Sequence, residues 1–178
     1  MEQKNEAEIV IRILKGDRQA YALLIDEYKT PVYNLAYRMT GNAEDAEDLT
    51  QETFIRAYQY LWRYDRQRKF FTWLYTLALN LIRNHLKKDK DNKISEVLNV
   101  HLQSDKDPSP EAKLMEAQEI NFCLLLLDDE SRALVIMKFY QGLSFEEISG
   151  MTGKSPGAVK MSIYRSMEKI KELMNQSR

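Results

Sequence analysis

Glu44, Asp48 and Glu52 are spaced by four, so a helix would gather three carboxylates on one face. Such a group could hold a cation or do acid–base work. No histidine lies near it, and no loop of calcium-binding spacing surrounds it, so a metal site is not expected. What remains is a solvated face or a docking face for a basic partner; mild repulsion between like charges four apart favours docking. The other reactive side chains do not assemble a catalyst either. His85 falls on the inward side of a helical segment and His101 in a polar stretch, while Cys123, the single cysteine, sits in an apolar run that suits a buried thiol. There is no Gly-rich phosphate loop, nucleophile elbow or histidine–carboxylate motif. The chain reads as a binding protein, not an enzyme, with no cofactor or metal.

A second constellation suits nucleic acid. Arg63, Tyr64, Arg66, Arg68 and Lys69 make a basic loop carrying an aromatic ring, and Trp73, Thr76, Asn80, Arg83 and Lys87 then share one side of a helical segment. Bases stack on aromatic faces at about 1–3 kcal/mol each, an amide pairs with a base edge, and cations hold phosphates. Single-stranded DNA fits this stripe. A solvated face with a structural tryptophan at its margin shows the same pattern, but the adjoining loop favours DNA, because a loop can enclose one extruded base.

The third constellation is FEEISGMTGKSPGAVKMSIYRSMEKI, which has the form of a helix-turn-helix. Phe145, Ile148 and Met151 face inward from its first helix and Gly153 permits the turn. Ser155 caps the second helix, and Pro156 takes its first position, where a missing N–H costs nothing. Val159, Ile163, Ser166 and Ile170 pack back, leaving Gly157, Lys160, Met161, Tyr164 and Arg165 outward beside Ser155 as readers and phosphate anchors. A helical hairpin that only packs or binds protein is the alternative.

The elements that carry these residues are all helical by period, and no segment alternates long enough for a strand. Helices are expected over Glu6–Leu14, Arg18–Tyr28, Pro31–Arg38, Ala43–Leu61 and Phe71–Lys88. The expected architecture is all-α: two small helical domains, 1–88 and 111–178, joined by a flexible, polar, proline-containing linker over 89–110. Halves of this size bury only about 60% of the surface their unfolded chains expose, so each should gain from a partner. The net charge of −1 conceals segregation: Glu44, Asp45, Glu47, Asp48 and Glu52 crowd one segment, whereas Arg63 to Lys90 is predominantly basic. Two partner surfaces follow, one for basic protein and one for phosphate. No apolar run approaches the ~18 residues of a membrane span, and the N-terminus is polar and acidic, so a cytoplasmic protein is expected.

The segments AEDLTQETFIRAY (Ala46 to Tyr58) and KFFTWLYTLALNLIRNHLKK (Lys69 to Lys88), followed by a linker and a terminal helix-turn-helix, resemble the extracytoplasmic-function (ECF) sigma factors of the sigma-70 family. The resemblance implies a subunit that directs RNA polymerase to promoters, with sigma-2 and sigma-4 domains. It implies that Asp48, Gln51, Glu52, Phe54 and Arg56 grip the beta-prime coiled coil of the polymerase core. The stripe from Trp73 to Lys87 becomes the −10 reader, with the Arg63 to Lys69 loop as the pocket for a flipped base. The helix from Pro156 becomes the −35 reader, and the segment from Ala133 to Tyr140 meets the beta flap. An anti-sigma factor is a further possible partner. Members of the family often carry arginines where this chain has Ser162 and Met167, which implies weaker phosphate anchoring here. A freestanding helix-turn-helix regulator with an N-terminal sensor or dimerisation domain is the rival reading, but it would not need a single-strand stripe. A metal-dependent nuclease built on the acidic helix is a weaker one.

Overall fold

The computed structural model describes residues 3–92 and 120–176. The first half comprises α1 (Gln3–Leu14), α2 (Ala20–Thr40), α3 (Ala43–Gln59), a 3-10 turn (Leu61–Arg63) and α4 (Phe70–Asn92). In the second, a helical stretch over 120–125 is followed by α5 (Asp129–Phe139), α6 (Phe145–Thr152) and α7 (Pro156–Gln176). The described residues contain no strand and no helix long and apolar enough to cross a membrane. The all-α expectation is met.

The largest departure from the expected boundaries lies at Pro31. The break between Tyr28 and Pro31 does not occur, and α2 runs through Pro31. Leu24, Tyr28, Val32, Leu35, Ala36 and Met39 are all buried, so one apolar stripe continues in register across the proline. An interior proline costs about 3 kcal/mol, whereas each large apolar side chain fully buried returns about 1.5–3 kcal/mol. Packing therefore outweighs the lost hydrogen bond. The helix stops at Gly41, whose φ of 72° lets its N–H reach the Tyr37 carbonyl, and Asn42 caps α3 by accepting from the Asp45 N–H at 3.1 Å.

α2 is the centre of the first half, with α1, α3 and α4 packed around it. Glu6 of α1, only 3% exposed, accepts from the Tyr28 hydroxyl and from the Phe70 N–H at 3.2 Å. It thereby places a carboxylate at the N-terminus of α4, where the helix dipole favours negative charge. α4 continues to Asn92, beyond the expected end at Lys88. Most of the proposed linker, and its junction with the second domain at 110/111, lie outside the described residues.

The two halves touch, α2 against α5 and α4 against α6. Arg132 of α5 is buried and donates to the carbonyls of Leu124 (2.9 Å), Leu125 (2.8 Å) and Leu127 (2.9 Å), and across to that of Met39 in α2. Arg38 donates to Asn121 and lies 3.7 Å over the Tyr140 ring. Lys69 meets Glu147 of α6 at 2.7 Å.

Candidate nucleic-acid interface

On α3, the period of the helix buries Ala46, Leu49, Thr53, Phe54 and Ala57 and leaves Asp48 and Gln51 exposed, with Glu52 half-buried. Arg56 is exposed and pairs with Glu52 one turn away. Phe54 does not join that surface: it is 6% exposed and packs edge-on against Tyr21, whose hydroxyl donates to the Phe54 carbonyl at 2.6 Å. The apolar contribution to this face comes from Ile55 and Tyr58, exposed at 52% and 41%, one and two turns beyond Gln51. Their sequence signal was an apolar residue out of phase with the buried stripe. Among the described residues, no cluster of acidic, histidine or cysteine side chains could hold a metal ion.

The loop after α3 is built on its own buried anchors. In the 3-10 turn, residues three apart eclipse, so Leu61 and Tyr64 point together into the core. Tyr64 was expected to offer its ring to a base, but it is 6% exposed, packed against Phe70 and Trp73 with centroids 5.3 and 5.5 Å away. Its hydroxyl donates to the Arg68 carbonyl, and burial pushes the phenol up to about 12, so it is a donor at neutral pH. Tyr64 therefore shapes the loop from beneath. Trp62, absent from the expected set, is instead the loop's accessible aromatic, 65% exposed. The guanidinium of Arg63 lies 4.7 Å over the Trp62 ring and 5.3 Å over that of Tyr60. Arg66 and Arg68 are exposed, Arg68 lying 3.5 Å from Asp65. Lys69 is held by Glu147: this contact raises the lysine's pKa and is the first cause of the depressed Glu147 carboxyl.

Along α4, Leu74, Ala78 and Leu81 are buried as expected, with Leu77 half-buried. His85 is half-buried with Nε2 3.4 Å from Asp45. On the other side, Asn80 and Lys87 are exposed, while Trp73, Thr76 and Arg83 are half-buried. The Thr76 hydroxyl donates to the Thr72 carbonyl at 2.7 Å, leaving the Asn80 amide as the most accessible base-edge group of the stripe.

In the second half, Ser144 opens α6 with a capping box, accepting from the Glu147 N–H at 3.1 Å while its own N–H donates to Glu147 Oε2 at 2.9 Å. Gly153, at φ 72°, makes the turn, and Ser155 accepts from the Ala158 N–H at 3.3 Å to cap α7. Ile148, Met151, Val159, Ile163, Ser166 and Ile170 are buried between the two helices and α5, with Phe145 half-buried at their edge. Ser155, Gly157, Lys160, Met161, Tyr164 and Arg165 are all exposed on the outer face. Of the segment Ala133 to Tyr140, residues 133–137 are buried, and only Phe139 and Tyr140 offer substantial surface.

A capped helix-turn-helix on one half and an exposed, basic, aromatic loop and stripe on the other define an all-helical DNA-binding protein. Residues 24–91 match sigma-70 region 2 and residues 117–170 match sigma-70 region 4. The chain is 36% identical over 172 residues to the ECF RNA polymerase sigma factor SigW of Bacillus subtilis, covering 90% of this chain and 92% of that protein. The fold is shared with CnrH, solved in complex with the cytosolic domain of CnrY (TM-score 0.75, 22% identity, 97% of this chain and 98% of that one). It is also shared with the sigma factor RpoE of Bartonella quintana, solved with the anti-sigma factor NepR (TM-score 0.71, 20% identity, 89% and 98%). The chain belongs to the ECF RNA polymerase sigma factors of the sigma-70 family. Its function is that of a sigma factor in transcription initiation, and the freestanding regulator is not favoured.

Proposed function

We propose that the chain acts by binding alone, with each surface assigned one task. The α3 face of Asp48, Gln51, Glu52 and Arg56, completed by Ile55 and Tyr58, docks on the beta-prime coiled coil of core polymerase. The loop cations Arg63, Arg66, Arg68 and Lys69, with the stripe Trp73, Thr76, Asn80, Arg83 and Lys87, take the opened −10 strand. The outer face of α7, from Ser155 to Arg165, takes the −35 duplex, and Phe139 with Tyr140 offers the surface for the beta flap. The supporting observation is that two separate DNA-compatible surfaces occupy opposite halves of one chain, one joining cations to Trp73 and the exposed Asn80 amide and the other a capped recognition helix. Residues 1–88 and 111–178 serve as the two working domains. An anti-sigma factor is proposed as a regulatory partner because both related folds were captured with such partners or a cytosolic domain.

The division of labour is tested by comparing Asn80→Ala with the pair Lys160→Ala and Arg165→Ala in reconstituted holoenzyme. Asn80→Ala should impair opening and discrimination within the bubble by about 1–3 kcal/mol, leaving closed-complex formation nearly intact. The duplex pair should weaken initial binding with a shallower salt dependence. On a pre-melted template, loss of base discrimination in the duplex pair and not in Asn80→Ala would reverse the assignment.

A further inference from the structure

We infer that Trp62, with Arg63, forms a stacking site for an unpaired base of the opened strand, additional to the loop pocket and the α4 stripe. The inference rests on the reading that the Arg63 to Lys69 loop handles single-stranded DNA. At 65% exposure, Trp62 is the most accessible large hydrophobic side chain of the described residues. Its placement is not loose. The buried neighbours Leu61 and Tyr64 bracket Trp62 and Arg63 in the 3-10 turn, so the turn cannot rotate to hide the indole without exposing its own anchors. Arg63 lies over Trp62 at 4.7 Å and over Tyr60 at 5.3 Å, joining the rings through one cation. Most of the Trp62 surface meets solvent, and Arg66 and Arg68 follow it in the chain, both exposed. An open π-face beside phosphate-compatible cations is the chemistry that binds single strands with little dependence on base identity. A protein surface could also cover an indole, but a cation seated on the ring and two more following it fit a polyanion better than the basic partner suited to the acidic face of α3.

The experiment uses holoenzyme reconstituted with core polymerase and bubble templates carrying 2-aminopurine in turn at each non-template position. Stacking quenches this base. Trp62→Ala should relieve quenching at one position and weaken bubble binding roughly 5- to 150-fold, the range set by loss of one base–aromatic stack. Trp62→Phe should recover most of both, and core affinity should stay within about twofold. Unchanged quenching at every position would overturn the inference, as would a fall in core affinity with quenching intact, which would seat Trp62 on the polymerase. Arg66→Glu is run in parallel: if it weakens bubble binding and Trp62→Ala does not, the stacking site alone fails; if neither does, the single-strand reading of the loop fails with it.

Discussion

Tyr64 separates two accounts of the basic loop, one in which its ring meets a base and one in which it supports the loop from beneath. The structure places the ring among Phe70 and Trp73 and gives its hydroxyl to the Arg68 carbonyl. Tyr64→Ala should then behave as a core truncation. A large aromatic lost from a packed site costs about 3–5 kcal/mol, transfer and cavity together. Tyr64→Phe keeps the ring and removes one hydrogen bond, for which the net loss is about 0.5–1.5 kcal/mol. That variant should fold normally but release the Arg68 carbonyl, so its bubble binding should fall modestly while core binding is unchanged. Urea unfolding followed by circular dichroism measures the first pair of numbers, and fluorescence anisotropy on a bubble template measures the second. A Tyr64→Ala protein within about 1 kcal/mol of the parent in stability, yet weakened in bubble binding, would refute burial as the role of this ring and restore direct stacking.

The double reversal Asp48→Arg with Glu52→Arg should abolish core binding while leaving helicity intact, since Asp48 is exposed and Glu52 half-buried; normal binding in a co-purification assay would remove α3 from the docking surface. Arg132→Met should destabilise the chain in urea by about 1–3 kcal/mol for each acceptor it strands, because the carbonyls of Leu125, Leu127 and Met39 lose their guanidinium donor while that of Leu124 keeps the Leu127 N–H at 3.1 Å. Arg132→Lys should not restore it, since an ammonium lacks the planar fork that spans those acceptors. The Lys69–Glu147 contact carries a pH signature. Glu147 is depressed from its ordinary 4.5, first by Lys69 and then by the Ser144 N–H, so its contribution is fully present above 4.5 and is lost as pH falls through the lowered value. Lys69 is raised above 10.5, so its share is present below 10.5 and lost as pH rises through the raised value. Lys69→Met should move the Glu147 carboxyl upward but not fully to 4.5 in an NMR titration, because the capping box persists; an unmoved carboxyl would deny the contact between the halves.

The helical class, the acidic face, the basic loop and the capped helix-turn-helix could all be read from the order of residues. Each is encoded locally, in the 3.6-residue spacing of apolar side chains and in cap and turn residues that act within a few positions, such as Gly153 and Ser155. The rest depended on how the helices pack. Pro31 predicts a helix boundary when judged alone, and the continuous stripe from Leu24 to Met39 overrides it because burial against α1, α3 and α4 supplies energy that no local rule counts. Tyr64 and Trp62 are aromatic residues two positions apart in one short turn, and composition cannot tell which is the anchor and which is offered to solvent. That choice follows from where Phe70 and Trp73 stand when α4 packs. Phe54 and Ile55 exchange roles on α3 for the same reason, since Tyr21 of α2 covers one and nothing among the described residues hides the other. The meeting of the halves through Arg132, Arg38 and Lys69 was illegible in the sequence, because a buried arginine's acceptors are backbone carbonyls, which every residue carries and no residue type announces.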